Sequence, residues 1–466
     1  MITVIGLDGS PPGARARAAI DAATLVLGGR RHLAAVATPG GARTVPLGEL
    51  GPALDTLASH QGDAAVLASG DPGFFGIVRA LHRRGLEFAV LPAVSCVAAA
   101  FARAGLPWDD AVVVSAHGRD LRQAVNVCRA HPKVAVLTGP AAGPAEIGAA
   151  LAGWRRRMIV CEHLGTGRER VTGCRPAEAR RLSWADPNVV VVLADGGAMG
   201  EAPARAAPSA VAATRADDGP GWTGDDSGWT GEGPGWTGEG PAWLWPPAAA
   251  GWALPEEEFD SRDAVITKAE VRALALARLA PAPGRLVWDV GAGSGSVGVE
   301  CARFGAAVAA VERDARRCAR VRANARRHGV DVRVVHAEAP AALDRLPGPD
   351  SVFIGGGGAE VARVVAARHP ARIVVALAAV ERVAETRTAL GKSGYTVDGA
   401  LVQAARFAPL PGDVHRLAGT NPVFLLWAAP LTGTWPPASP ATQPATPPPI
   451  QPAAQPHPPG SRGGPR

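Results

Sequence analysis

The stretch Val287 to Glu300, VWDVGAGSGSVGVE, decides how the second half of this chain folds. An apolar run ends in Asp289, glycines alternate at 291, 293 and 295, and a helix-forming pattern resumes at Ser296. Glycines so spaced remove side chains where the backbone turns sharply, which lets a ligand approach the peptide N–H groups. Those groups, with the first turn of the following helix, are expected to form an electropositive cup. Taken alone the turn has two readings: a nucleotide-like cofactor site, or a tight strand-to-helix corner.

Its surroundings favour the cofactor. Leu286 to Val290 reads as a buried strand and Ser296 to Arg303 as a helix. A second apolar run, Ala307 to Val311, ends in Glu312, 21 residues beyond Gly291. An acid at that strand tip is placed to accept hydrogen bonds from two ribose hydroxyls. A nicotinamide site would more often show Gly-x-Gly-x-x-Gly and would offer Asp289 no role.

The run Asp289-Val-Gly-Ala-Gly-Ser-Gly295 resembles motif I of the class I S-adenosylmethionine-dependent methyltransferases. The resemblance implies that S-adenosyl-L-methionine is the bound co-substrate. Gly291, Ala292, Gly293, Ser294 and Gly295 would cradle its methionine portion, and Glu312 would hold its ribose. Glu338 and Ala339, after a strand expected at Val332 to Val335, fall where that family flanks the adenine. A solvated loop acid is the other reading of Glu338.

The whole chain of 466 residues has room for two or three domains, each with its own core. Its hydrophobic fraction, 47% with 5% aromatics, is that of an ordinary soluble protein. The net charge of +6 is carried almost wholly by arginine, since only Lys133, Lys268 and Lys392 are lysines. The basic run Arg313 to Arg327 lies on a helical pattern and reads as a solvated face, although a polyanionic partner stays open. The six cysteines form no C-x-x-C pair, which fits reduced thiols in a cytoplasmic protein. Met1 to Gly6 reads as a strand rather than a signal peptide, and no apolar run approaches a membrane span.

Composition divides the chain. Residues 1–198 alternate strand and helix patterns, and 199–250 are rich in Gly, Pro and Trp with Gly-Trp-Thr-Gly repeated at 221, 228 and 235. That stretch reads as a flexible low-complexity linker. Residues 251–429 form a second βα domain, and 430–466 read as a Pro-rich disordered tail. In the second domain a helix is expected over Lys268 to Leu279 and strands at 350–355 and 372–377. Two late extended runs, Tyr395 to Arg406 and Asn421 to Ala428, are expected to pair as a hairpin and complete a seven-stranded sheet.

In the first domain three strand-to-helix loops stand out: Val4 to Gly9, Val66 to Gly76 and Leu91 to Ala100. Within the second, Asp71 can orient backbone N–H groups, cap the next helix or face a ligand. Ser95 in the third is a candidate N-cap.

Two resemblances now become specific. Residues 2–195 resemble the tetrapyrrole methylases of the cobalamin pathway, CbiE-like, in VIGLDG (4–9), LVLGGRRHL (25–33), VLASGDPGFFG (66–76) and LPAVSCVAAAFARAGLPWDDAVVVSAHGR (91–119). Residues 251–428 resemble the companion CbiT-like class I enzymes in 254–284, in VWDVGAGSGSVGVE, in VFIGGGG (352–358) and in NPVF (421–424). Fused in this order, the halves resemble the decarboxylating precorrin C5,15-methyltransferases. The fold so implied is α/β: a tetrapyrrole-methylase fold followed by a Rossmann-like class I methyltransferase.

The resemblance implies two methyl transfers from S-adenosyl-L-methionine to precorrin-6B in cobalamin biosynthesis. C5 would be methylated in the N-terminal half; C15 methylation and loss of CO₂ from the C12 acetate would fall to the C-terminal half, giving precorrin-8. The cobalt-bearing form of the substrate stays open. Such a substrate carries many carboxylates, which gives the arginine excess a purpose. Donor contacts are implied for Gly6, Gly70, Asp71, Pro72, Phe75 and Ser95, and for Thr267, whose local alternative is an N-cap. Glu381 matches a glutamate common in the family and is the candidate catalytic acid; an ordinary helix-start acid is its other reading. The family also implies a homo-oligomer; the residues themselves suggest no metal cluster, membrane span or nucleic-acid partner. A nucleic-acid methyltransferase is the alternative, but Asn421-Pro-Val-Phe comes too late for that class's catalytic motif and aromatics for base stacking are scarce.

Overall fold

Runs of Val, Ile, Leu and Ala bounded by Gly and Pro form strands buried on both faces. The computed structural model describes residues 1–48, 50–195, 251–261 and 266–431. The expected linker, 199–250, and the chain beyond Leu431 lie outside the described residues. The last strand runs to Pro430, so the second domain passes the boundary expected at 429.

The first half holds two sheets. One is parallel: β1 (Ile2–Leu7), β2 (Leu25–Gly28), β3 (Arg43–Pro46), β4 (Ala64–Ser69) and β5 (Phe88–Leu91), in the order β3-β2-β4-β1-β5. The other is mixed: β6 (Val112–Ser115), β7 (Lys133–Leu137), β8 (Arg156–Glu162), β9 (Arg170–Cys174) and β10 (Asn188–Ala194), in the order β6-β7-β10-β8-β9. Each sheet carries a buried apolar cluster on either face.

The second half is one seven-stranded sheet. It contains β11 (Leu286–Val290), β12 (Ala307–Glu312), β13 (Arg333–His336), β14 (Ser351–Ile354), β15 (Arg372–Leu377) and β16 (Tyr395–Val402), with β17 (Ala405–Leu410) and β18 (Val414–Gly419) forming a separate ribbon before β19 (Val423–Pro430). The order is β13-β12-β11-β14-β15-β19-β16, with β19 antiparallel to both neighbours. Successive residues feed opposite cores: Leu286, Trp288 and Val290 one, Val287 the other. The expected β16–β19 pairing is present. The run to Arg406, however, is two strands, because the chain leaves the sheet after Val402 and the ribbon begins at Ala405.

The halves meet on one edge. Asn126 donates to the Gly284 carbonyl at 3.0 Å, Arg122 to the Gly348 carbonyl at 2.8 Å, and Arg122 pairs with Asp350 at 2.8 Å. Trp154 of the first half joins the core beneath β11 and β12. Gly284, Gly348 and Asp350 precede β11 and β14, so the contact lies at the amino ends of the parallel strands. The glycine turn after β11 lies at the opposite, carboxyl ends.

Candidate functional site

At the carboxyl edge of the second sheet the glycine turn joins β11 to the helix Ser296–Arg303. Its N–H groups are not the open cup the spacing suggests. Those of Gly291 and Ala292 donate to the Val311 carbonyl at 2.9 and 3.2 Å, and that of Gly295 to the Ala292 carbonyl at 2.7 Å. The Gly293 N–H donates to Glu312 Oε2 at 2.9 Å. Adjacent strand ends bring Val311 and Glu312 against the turn, and these acceptors satisfy donors that would otherwise await a ligand. Protein packing also explains two of the glycines. A Cβ on Gly291 would meet the Gly356 nitrogen at 3.0 Å, and one on Gly295 would meet the Val321 side chain at 2.8 Å. Ser294 is buried, and its carbonyl accepts from Asn324 at 2.8 Å.

Glu312 ties the site together. Its buried carboxylate accepts from Gly293 through one oxygen and from Asp314 N–H, at 3.0 Å, through the other. Each oxygen keeps a lone pair, so the group can still accept from a ligand's hydroxyls. Asp289, below the turn, was not among the expected site residues. Its Oδ2 accepts from Gly298 N–H at 2.9 Å, while its buried Oδ1 has no partner. Burial, aided by the Glu312 charge, pushes its carboxyl up to about 7. An acid near the end of an apolar strand, two residues before the first glycine, is the signal the sequence offers. An orphaned carboxylate oxygen and the lone pairs of Glu312 fit a donor bearing cationic and hydroxyl groups.

The remaining expected residues of this half fall around that edge. Thr267 does not cap the helix Ala269–Leu279; Lys268 occupies the cap, and Glu256 takes the Ala269 N–H at 2.8 Å. Instead the Thr267 carbonyl is held by Arg272 at 2.5 Å, and Arg272 is paired with Glu300 in a fully buried bridge, also at 2.5 Å. Glu338 is exposed and pairs with Arg313 at 3.2 Å, the solvated alternative. Ala339 follows it, and the Ala337 N–H donates to the Glu312 carbonyl at 3.1 Å, which ties this loop to the strand end beside the glycine turn. Glu381 is exposed in the first turn of the helix Glu381–Lys392, beyond the carboxyl end of β15. That position suits an acid on helix-dipole grounds alone.

In the first half the tips of β1, β4 and β5 converge. A Cβ on Gly6 would meet the Gly70 carbonyl oxygen at 2.0 Å and the Ala93 nitrogen at 2.6 Å, so close backbone approach fixes glycine there. Gly70 in turn packs on Ser95, whose hydroxyl accepts from Ala98 N–H at 3.1 Å as the expected N-cap. Asp71 does not cap the next helix. It accepts from Gly73 N–H at 2.8 Å and so shapes its own loop, followed by buried Pro72. Phe75 is 41% exposed with a positive φ, and Arg119 stands 5.7 Å over its ring. Among the described residues no helix is long and apolar enough to cross a membrane, and no group of His, Cys, Asp or Glu is placed to hold a metal ion.

Comparison with known proteins divides the chain in the same way. Residues 9–179 match the model of the tetrapyrrole (corrin/porphyrin) methylases, and 258–428 that of the precorrin methyltransferase domain. The chain is 34% identical over 469 residues to a Sinorhizobium precorrin-6Y C(5,15)-methyltransferase [decarboxylating], covering 95% of each. A cobalt-precorrin-7 C(5)-methyltransferase of Salmonella typhimurium is 34% identical over 206 residues, covering 41% of this chain and 98% of its own. A probable cobalt-precorrin-6B C(15)-methyltransferase (decarboxylating) of Pyrobaculum calidifontis is 36% identical over 194 residues, covering 40% of this chain and 98% of its own. With both donor-binding folds present and a relative matched from end to end, the chain belongs to the family of decarboxylating precorrin-6Y C(5,15)-methyltransferases.

Proposed function

We propose that this protein methylates a corrin precursor, precorrin-6B, at C5 and C15 with S-adenosyl-L-methionine and removes CO₂ from its C12 acetate, as a step in cobalamin biosynthesis. The observation that carries the reading is the 34% identity, over 95% of each chain, with the Sinorhizobium precorrin-6Y C(5,15)-methyltransferase [decarboxylating]. C15 methylation and decarboxylation belong to the C-terminal half and C5 methylation to the N-terminal half, in keeping with stand-alone relatives that each match about two fifths of the chain.

In each transfer the electron-rich ring carbon bonds to the donor's methyl, the S–CH₃ bond gives its pair to sulfur, and the ring carbon loses its proton. The sulfonium is already activated, so the protein chiefly aligns the two partners. In the decarboxylation the C–COO⁻ bond breaks, its pair enters the conjugated macrocycle, and the remaining CH₂ takes up a proton to become methyl. Glu312 and the turn Gly291–Gly295 would hold the donor in one half; Gly6, Gly70, Asp71, Pro72, Phe75 and Ser95 would do so in the other. Thr267, Glu338 and Ala339 border the first of these sites. Glu381 is the candidate to guide protonation, and Glu381→Gln should then slow CO₂ release more than C15 methylation.

The reading places the protein in the cytoplasm, as a homo-oligomer that requires neither metal nor nucleic acid. The decisive experiment incubates the whole chain with precorrin-6B and methyl-labelled donor and follows the product by mass spectrometry. Gain of two labelled methyl groups with loss of one CO₂ is expected, and a product lacking either sinks the assignment. Running the cobalt-bearing substrate in parallel decides which form is preferred.

A further inference from the structure

The string Gly28-Gly-Arg-Arg-His-Leu33 finds no use in donor binding, yet the fold brings it to the donor loop. β2 and β4 are neighbours in the parallel sheet, so the residues following β2 stand beside the end of β4. There Arg31 Nη2 donates to Ser69 Oγ at 2.6 Å and Arg31 Nε to His32 Nε2 at 3.3 Å. The Ser69 hydroxyl lies 3.1 Å from the same His32 nitrogen. A guanidinium cannot accept, so His32 Nε2 is the acceptor and the ring proton sits on Nδ1. Burial, and secondly the Arg31 charge, push His32 down to about 4, so the ring is neutral near pH 7.

Arg31 is therefore held along one edge, Nε and Nη2, by two neutral groups. Among the described residues Nη1 and the second hydrogen of Nη2, which form its other edge, have no partner, and no carboxylate pairs with Arg31. The side chain is exposed at the carboxyl edge, bonded to Ser69, the residue before Gly70 of the proposed donor loop, and its charge reaches Cys96, next to Ser95. An uncompensated, preorganised guanidinium fork facing solvent is shaped for a planar anion bound bidentately.

We propose that Arg31, oriented by Ser69 and His32, receives a side-chain carboxylate of the tetrapyrrole in the N-terminal half and so sets which ring carbon faces the donor methyl. This rests on the reading of that half as the C5 methylase. Arg31 is a specificity residue; Ser69 and His32 position it.

The test uses the whole chain, with C15 methylation by the other half as an internal control of folding. Arg31→Ala should raise the KM for the tetrapyrrole in C5 methylation by tenfold or more, while the KM for S-adenosyl-L-methionine and the C15 reaction stay at wild-type values. Added guanidinium chloride at non-denaturing concentration should recover part of the loss, and Arg31→Lys should not, because an ammonium lacks the fork. Ser69→Ala should raise the same KM by a smaller factor without guanidinium rescue. An unchanged tetrapyrrole KM in Arg31→Ala, or a loss that guanidinium does not relieve, overturns the proposal. If Arg31→Ala also weakens the donor KM, Arg31→Gln is read in its place: a raised tetrapyrrole KM supports the proposal and an unchanged one overturns it. Absence of C5 methylation by the wild-type chain would instead remove the underlying functional reading.

Discussion

Arg156 of β8 has no exposed side-chain surface, and its Nη1 meets Asp331, two residues before β13, at 2.5 Å. The same guanidinium donates to the Cys128 carbonyl at 2.6 Å and to the Arg129 carbonyl. A buried cation so shared between the halves is costly to remove, since buried acceptors are left without donors. Arg156→Ala should lower stability by about 2–4 kcal/mol and split unfolding into two transitions in a urea titration. Asp331→Asn, at a partly exposed partner, should cost about 1 kcal/mol or less. Equal effects from the two would contradict this reading.

The position of that contact bears on how the two reactions relate. Asp331, Gly284, Gly348 and Asp350 lie at the amino ends of their strands, whereas the glycine turn lies at the carboxyl ends. On the other side of the interface Arg156 opens β8, whose far end leads to Gly165 beside Gly9, past the tip of β1. The donor residues proposed for the two halves belong to separate sheets, and release into solvent is the simplest route for a tetrapyrrole between them. A mixture of Asp71→Ala and Gly293→Val chains should therefore form the doubly methylated, decarboxylated product at about half the rate of an equal total of wild type. A mixture far slower than that, with no singly methylated tetrapyrrole detectable in the wild-type reaction, would point to direct transfer.

Asp289 supplies a pH signature. Its folded value, about 7, lies above the ordinary 3.8, chiefly through burial. The neutral form is thus favoured by folding, and the stability it contributes is present below about pH 4 and lost as pH rises through about 7. Asp289→Asn keeps an acceptor for the Gly298 N–H and cannot titrate. Unfolding free energies of the variant from urea titrations should fall less between pH 5 and about pH 8 than those of wild type, by an amount on the order of 2–3 kcal/mol. Parallel profiles would show that another group governs the slope.

Much of this was legible because local pattern and tertiary environment agree. Leu286–Val290, Ser296–Arg303 and Arg372–Leu377 form as expected, since a two-sided buried strand or an N-terminal glycine turn leaves the chain few alternatives. What pattern could not supply was partnership. The glycine N–H groups look open in sequence and are closed by Val311 and Glu312 from the next strand. Thr267 looks like a cap until Glu256 and Lys268 take that place. The β17–β18 ribbon escaped because its exposed apolar residues, Phe407 and Leu417, carry no core periodicity.

The glycine turn gives the sharpest mutational test. Gly293 has φ +59°, a region that β-branched residues enter only with strain. Its N–H also anchors Glu312, the carboxylate proposed to hold the donor's ribose. Valine at 293 should therefore disturb the turn and the acid together, costing about 1–3 kcal/mol in backbone strain and abolishing donor binding in the C-terminal half. C15 methylation then fails for want of a methyl group. Decarboxylation falls with it if the new methyl at C15 creates the electron demand that releases CO₂. C5 methylation should persist, because the residues proposed for its donor site follow strands of a separate sheet in the first half. Isothermal titration of the intact variant with S-adenosyl-L-methionine should lose one of two binding events, and mass spectrometry should find a singly methylated product that keeps its carboxylate. Retention of both binding events at wild-type affinity would mean that the turn is only a corner.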